Sequence, residues 1–333
     1  MAKIHFLNVD EGDCSIIQHD NGNVTMIDIC CGNIEEEVQK SFSAESLNTG
    51  LRGNFKQKEH PTNPVNYLKR HGIKSIFRYI QTHPDMDHMD GLENLFQNFS
   101  IINFWDTENK KKQEFGENGK SGRYLKIDWD RYCKMRTCTS DPKALFYYDG
   151  SSNKYFAEND KGKLTDDYLQ ILSPTRALLN AANEAGDWND SSYVILYCVG
   201  GKKILFCGDA DMNTIQHLID NHYDEISDLD VLIAPHHGRD SNKDFSFLDV
   251  MNPKLTLIGN ALSKHLAYDQ WNNRSLPHLT NNQVGDVLLE IQGGTLFLSI
   301  SNKTAADKIC QELRQKDAEV DATTMGYWFI CEI

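Results

Sequence analysis

Short apolar runs that break off into polar clusters recur along the chain. "KIHFLNV" (3–9), "CSIIQ" (14–18) and "VTMID" (24–28) predict three strands of a meander, with "DNGN" as the turn before the third. "KSIFRYIQT" (74–82) predicts another strand. In "GLENLFQNF", Leu92, Leu95, Phe96 and Phe99 recur at i, i+3, i+4 and i+7, the spacing of one apolar helix face. "IINFW" (101–105) follows as a strand. Regular structure resumes with "YLQILSP" (168–174), followed by "SSYVILYCV" (191–199), "KKILFCGDADM" (202–212) and "DVLIAPHHG" (230–238). Between the last two, Ile215, Leu218 and Ile219 mark a short helix, with Asn213 or Thr214 as its cap. "KLTLIG" (254–259), "GTLFLSIS" (294–301), the helix "AADKICQELRQK" (305–316) and the strand "YWFICEI" (327–333) complete the pattern.

Strands and helices alternate in both halves, which predicts an α/β class built on sheets. Residues from about 106 to 166 differ, being polar and glycine-containing at both ends. They predict an insertion on the scaffold, a solvated excursion with a small satellite core. Its Tyr124, Trp129, Arg131, Tyr132, Lys134 and Arg136 are the residues there that could face a substrate.

Composition narrows the picture. With 40% hydrophobic and 25% charged residues, the 333-residue chain lies in the globular range and is long enough to bury a core. No apolar run approaches the roughly 20 residues of a membrane span. No secretory signal is visible before the chain turns acidic, so a cytoplasmic protein without a membrane partner is expected. A formal charge of −14 disfavours a broad electrostatic grip on duplex DNA. A nuclease would need bound cations and a local basic stretch. The nine cysteines are scattered without a C-x2-C pair, which predicts reduced thiols; Cys198 and Cys207 fall in apolar runs and are expected to be buried.

Three predicted strands end in clusters of metal-type ligands. The first runs into His83, Asp85, Asp87 and His88, the second into Gly208, Asp209 and Asp211, and the third into Pro235, His236 and His237. Pro84 biases His83 away from the α region, so the first loop starts extended. In an extended segment His83, Asp85 and Asp87 point to the same side, and His88 follows where a tight turn leads into a helix. One loop can therefore offer ligands to two metals, with Asp90 read as a helix cap.

The run His-x-Asp-x-Asp-His, followed by a glycine, resembles the metal motif of the metallo-β-lactamase superfamily. Most members have histidine where this chain has Asp85, and the aspartate form looks most like the nuclease-type domain of the ComEC competence proteins. "FLNVDEGDCSII", "IDICCG", "NDSSYVILYCVGGKKILFCGDAD", "LDVLIAPHHGRDS" and, loosely, "LIGNALSKHLAY" resemble further motifs of that group in the same order. This chain departs from the pattern at Asn8 and Asp10, at Arg239 after His-His-Gly, and in its late segment, which lacks the usual glycine–histidine–proline. It also has Asn189, Asp190 and Ser191 where many members have a middle metal-binding histidine.

The resemblance implies a four-layer αββα sandwich of two mixed sheets, as one domain over residues 1–333 with the insertion at about 106–166. It implies two divalent metal ions. His83 and Asp85 would serve the first, with Asp190 as a further candidate. Asp87, His88 and His236 would serve the second, with Asp209 bridging. His237 or Arg239 would contact a phosphate oxygen, so Asp87 and His237 are the candidate catalytic residues. Asp28 would orient a metal-binding histidine, and Ser241 and His265 are candidate substrate-side residues. The oxygen-rich set puts Mn²⁺ ahead of Zn²⁺ or Mg²⁺.

The implied activity is phosphodiester hydrolysis by a two-metal-activated hydroxide, most simply a nuclease on DNA or RNA. Rival readings are a metal-dependent hydrolase of a small ester, lactone or nucleotide, and a partner-binding module with an impaired metal site. Expected partners are a nucleic-acid or nucleotide substrate and a protein from a defence or DNA-processing system.

Overall fold

A computed structural model of the chain describes residues 1–34, 56–240, 244–261, 265–312 and 326–333. Ser241 and the predicted helix beyond residue 312 lie outside the described residues.

The first part of the chain forms β1 (Ala2–Phe6), β2 (Ser15–Gln18), β3 (Val24–Ile27), α1 (Pro64–Arg70), β4 (Ser75–Ile80), α2 (Leu92–Asn98) and β5 (Ser100–Trp105). A ribbon of β6 (Lys120–Ser121) and β7 (Tyr124–Leu125) precedes α3 (Lys126–Met135) and β8 (Lys143–Leu145). Then come β9 (Asp167–Ser173), α4 (Arg176–Ala185), β10 (Val194–Val199), β11 (Lys202–Phe206), α5 (Met212–Asn221) and α6 (Tyr223–Ile226). β12 (Val231–Ile233), α7 (Phe247–Met251), β13 (Leu255–Ile258), α8 (Tyr268–Asn273) and β14 (His278–Thr280) follow. The last elements are α9 (Asn281–Val284), β15 (Val287–Gln292), β16 (Thr295–Ile300), α10 (Lys303–Glu312) and β17 (Trp328–Glu332).

Two mixed sheets result. One runs β17-β16-β15-β1-β2-β3-β4-β5-β8 and the other β14-β13-β12-β11-β10-β9. Strand periodicity explains how they stack. In β1, Ile4 and Phe6 enter the core between the sheets, while His5 points outward to Tyr67 of α1. In β11, Ile204 and Phe206 face that same core, and Leu205 lies under α5 with Ile215 and Leu218. A second core lies beneath α1, α2 and α3, and a third beneath α5, α7 and α8, which completes the αββα layering. The strands β3, β4 and β5 are parallel, as are β11 through β14. Their carboxyl ends therefore share an edge in each sheet, where α/β folds gather ligand-binding loops. No helix among the described residues is long and apolar enough to cross a membrane.

Residues 106–166 differ from the expected solvated excursion. β8 pairs in parallel with β5 and extends the larger sheet. Trp129, Tyr132 and Met135 of α3 join the core of α1 and α2. Most of the basic residues expected to face a substrate are paired instead. Arg131 binds Glu93 through Nε at 2.5 Å, and Arg136 Nε donates to buried Asp106 at 2.6 Å. The helix period of Trp129, Tyr132 and Met135 is what directs them inward.

Capping also differs from expectation. Asp211 caps α5, its carboxylate accepting from Met212 N at 2.9 Å. Asp90 binds Cys31 N and Asn33 Nδ2, and Asp128 of α3 accepts from Glu93 N at 2.8 Å at the start of α2. None of the nine cysteines forms a disulfide; Cys207 is buried and Cys198 half-buried.

Candidate metal centre

The loop after β4 continues extended through Asp85 (φ −83°, ψ 146°) and then tightens into a 3-10 turn over Met86–His88. That turn brings the His83 and His88 rings to 4.2 Å between centroids. His88 is oriented from behind: its Nδ1–H donates to Asp28 Oδ2 at 2.7 Å. Asp28 also accepts from Thr82 N at 2.7 Å and Thr82 Oγ1 at 2.5 Å, so β3 and β4 jointly hold the imidazole.

Asp209 stands at the centre of the cluster. Its Oδ1 lies 3.1 Å from His88 Nε2 and 3.3 Å from His237 Nε2. Its Oδ2 lies 3.5 Å from His236 Nε2 and 3.8 Å from His83 Nε2. One carboxylate thus presents each oxygen to a different pair of imidazoles. The turn after β12 makes this split possible. His236 (φ 50°) and His237 (φ 53°) are both left-handed, and their rings lie 78° apart. Two successive non-glycine residues in that region cost on the order of 1 kcal/mol each, strain of the kind found at functional sites.

His237 is steered by Asp13, whose Oδ1 lies 3.1 Å from its Nδ1. The same opening loop touches the site through its backbone. A side chain at Gly12 would fall 2.1 Å from the carbonyl oxygen of Asp87. Gly12 has φ +131°, so both conformation and space demand glycine there.

The electrostatics favour a cation. Burial alone would lower the His88 imidazole, but Asp209 and Asp28 raise it well above its ordinary value. His237 is pushed up to about 9 against its burial by Asp209 and Asp13. His83 is pushed down to about 3 by burial and by His88. Against its own burial, Asp209 is held well below the usual carboxylate range by His237, His88 and His236.

The residues present fit a metal. The Nε2 atoms of His83, His88 and His237 and the Oδ1 atom of Asp209 are buried without a hydrogen-bond partner among the described residues. Each such atom costs about 1–3 kcal/mol when left unpaired. Asp87, His88, Asp209 and His237 each offer a ligand atom within 4.8 Å of the others. The grouping differs from the sequence expectation in one respect. His237, expected to contact phosphate, lies with Asp87, His88 and Oδ1 of Asp209, while His236 lies with His83 on Oδ2. The double left-handed turn makes that exchange.

The remaining expected residues are distributed as follows. Asp85 Oδ1 accepts from Lys111 Nζ at 2.6 Å, and that ammonium also lies 5.3 Å from the Trp188 ring centroid. Against burial, His83 and Lys111 hold the Asp85 carboxyl below its ordinary range. Asp190 is not brought to the cluster. It accepts from Asp211 N at 3.1 Å, Thr214 N at 3.0 Å and Asn213 Nδ2 at 2.6 Å, because the start of α5 presents unpaired N–H groups to it. Arg239 Nη1 lies 3.4 Å from His236 Nε2, at the rim. His265 accepts from Asp240 N through its carbonyl at 2.5 Å, with no contact between its imidazole and the cluster among the described residues.

Sequence reasoning missed Asp13, Lys111 and Arg123, while Tyr124 was among the residues expected to face a substrate. Arg123 binds Asp10 and the Glu11 carbonyl, docking the β6–β7 ribbon on the opening loop. Burial and the Asp87 carboxylate then raise the Tyr124 phenol. Lys111 is the middle of the run Lys110-Lys111-Lys112, a pattern that reads as a solvated charge cluster.

No protein-family model matches the sequence, and no curated protein matches it. Solved structures do match the fold. Tm1679, a metal-dependent hydrolase of the β-lactamase superfamily, is 12% identical over 88% of this chain and 100% of its own, with a TM-score of 0.50. Igni18, a metallo hydrolase from the hyperthermophilic archaeon Ignicoccus hospitalis KIN4/I, is 11% identical over 87% of this chain and 100% of its own, with a TM-score of 0.46. A diphosphatase from the PhnP family is 14% identical over 88% of this chain and 98% of its own, with a TM-score of 0.43. At these identities the likeness carries the fold alone: the chain has the metallo-β-lactamase fold, a mixed α/β sandwich.

Proposed function

We propose that the protein is a metal-dependent hydrolase of phosphodiesters, acting as a nuclease on DNA or RNA. The observation that carries this reading is the division of Asp209 between two imidazole pairs, His88 with His237 and His83 with His236. That is the arrangement expected of a bridging carboxylate. Asp87, His88 and His237 would hold one divalent ion and His83, Asp85 and His236 the other. A divalent pair in such a site supplies Lewis acidity toward a phosphoryl oxygen and makes water a nucleophile near neutral pH.

The chain's own groups supply orientation and charge. Asp28 and Asp13 fix His88 and His237 through their Nδ1 atoms, which leaves both Nε2 atoms pointing at Asp209. Lys111 and Arg239 flank the cluster as cations suited to phosphate oxygens. Lys111 lies in the run Lys110-Lys111-Lys112, whose outer two are exposed, a local basic stretch in a chain of net charge −14. The Asp85 variant of the motif, which resembles ComEC-type nuclease domains, supports phosphodiesters over β-lactam-like substrates. Asp85, Asp87 and Asp209 give the set one carboxylate more than a motif with histidine at position 85 would have, which supports Mn²⁺, while the four imidazoles suit Zn²⁺.

The test is metal analysis of the purified protein. Incubation with single- and double-stranded DNA, RNA and cyclic dinucleotides under Mn²⁺, Mg²⁺ and Zn²⁺ then follows. Cleavage of at least one, abolished by Asp87→Ala, is expected. A metal-loaded protein that cleaves none of them sinks the phosphodiester reading and favours a small ester, lactone or nucleotide substrate.

A further inference from the structure

A second convergence of ligand-type groups lies on the outer face of the smaller sheet, where α5 meets α6. His217 comes from the middle of α5, and His222 is the residue at which α5 ends and α6 begins. Asp149 faces both from the segment following β8. Its Oδ2 lies 3.1 Å from His217 Nε2 and its Oδ1 2.9 Å from His222 Nε2. The three residues each offer a ligand atom within 4.8 Å of the others.

Three features set this apart from an ordinary ion pair. Both ring nitrogens of His222 are buried, and neither makes a hydrogen bond among the described residues, although the carboxylate is within 2.9 Å. The imidazole is near Asp149 without being aimed at it. The two rings stand edge to face, 75° apart with centroids 5.5 Å apart. Asp149 itself is immobilised, since its N–H donates to the Pro174 carbonyl at 2.9 Å and the next residue, Gly150, donates to Ile171 at 3.1 Å.

We propose that Asp149, His217 and His222 form a separate metal site of the zinc class, which pins the α5–α6 elbow to the loop after β8. Two imidazoles and one carboxylate are the ligand set of a tetrahedral Zn²⁺ with one open position. Tetrahedral ligands at zinc distances stand roughly 3.3 Å apart, so each nitrogen and its carboxylate oxygen need to part by only a few tenths of an ångström. His217 binds as the Nδ1–H tautomer. The Asn221 amide, now 3.1 Å from Nδ1 through its nitrogen, turns to present its oxygen. The neutral imidazole moves its proton between nitrogens, and no net proton is released by that step. Entry is open, because His217, Gln216 and Asn221 line a cleft of about 660 Å³ between α4 and α5. The site is independent of the Asp209 cluster and shares no ligand with it.

The experiment is equilibrium dialysis of the full chain against Zn²⁺ and Co²⁺, with metal counted per chain. It compares the unaltered protein with Asp149→Asn, His222→Ala and Asp209→Ala, and melting temperatures are measured with and without Zn²⁺. Asp149→Asn and His222→Ala are each expected to lose one equivalent and the part of the Zn²⁺-induced thermal shift that Asp209→Ala retains. Asp149→Asn keeps the side-chain volume, so it reports even if His222→Ala does not fold. Unchanged stoichiometry and thermal shift in Asp149→Asn would overturn the proposal. Loss of metal confined to Asp209→Ala would overturn it as well, while leaving the Asp209 centre standing.

Discussion

The Lys111 ammonium sits 2.6 Å from Oδ1 of Asp85, inside the motif that resembles a metal-binding loop. A cation contributed by residues 106–166 therefore occupies the carboxylate that replaces the usual histidine. Lys111→Met is expected to tighten Mn²⁺ binding about threefold to tenfold, because the metal no longer displaces a paired ammonium. Phosphodiester cleavage should fall at the same time, since a phosphate-facing charge is lost. Calorimetric titration alongside turnover measures both; weaker Mn²⁺ binding in this variant would contradict the competition.

Asp28 grips His88 while lying in the left-handed region itself, at φ 56°. Asparagine tolerates that backbone, so Asp28→Asn should fold. It removes the anionic acceptor from His88 Nδ1, and metal affinity is expected to drop roughly 10- to 100-fold. Metal content after dialysis at graded free Mn²⁺ gives the answer, and an unchanged affinity would mean that Asp28 serves only to join β3 to β4.

Gly12 is the point where the opening loop presses on the site. Gly12→Ala forces the Asp87 carbonyl or the loop to move, at a cost of about 1–3 kcal/mol. Because the strain falls on Asp87, metal binding should weaken more than tenfold while the far-ultraviolet circular dichroism stays native.

His5, remote from the cluster, contributes to acid sensitivity, as buried His83 also does. His5 is fully buried between Tyr67 and Gln18, and burial pushes its imidazole down to about 3, only partly offset by the Gln18 contact. The unfolded chain takes up a proton near pH 6.5 that the folded state refuses. The stabilisation is therefore complete above pH 6.5 and is lost as pH falls toward 3, by about 1.4 kcal/mol per pH unit. His5→Phe should flatten that slope. Urea unfolding at pH 7, 6 and 5 compares the two proteins, and equal slopes would assign the acid sensitivity elsewhere.

The α/β class and the gathering of ligand-type side chains behind the strands that lead to His83, Asp209 and His236 were legible in the sequence, because strand and helix periods are local properties. The helices α1 and α4 were within reach as well, through Asn63–Pro64 and through Thr175 with Gly186, which cap them. Tertiary structure decided the rest. Whether His236 or His237 joins Asp87 depends on a double left-handed turn that apolar periodicity does not encode. Asp190 is claimed by the start of α5, a competition between two acceptors' destinations that only their positions in space resolve. Asp13 and Lys111 reach the cluster from 224 residues before His237 and 26 residues after Asp85. Those pairings arise from the stacking of the sheets and the docking of the 106–166 segment, and no local spacing rule carries contacts between groups that the chain brings together only after it has folded.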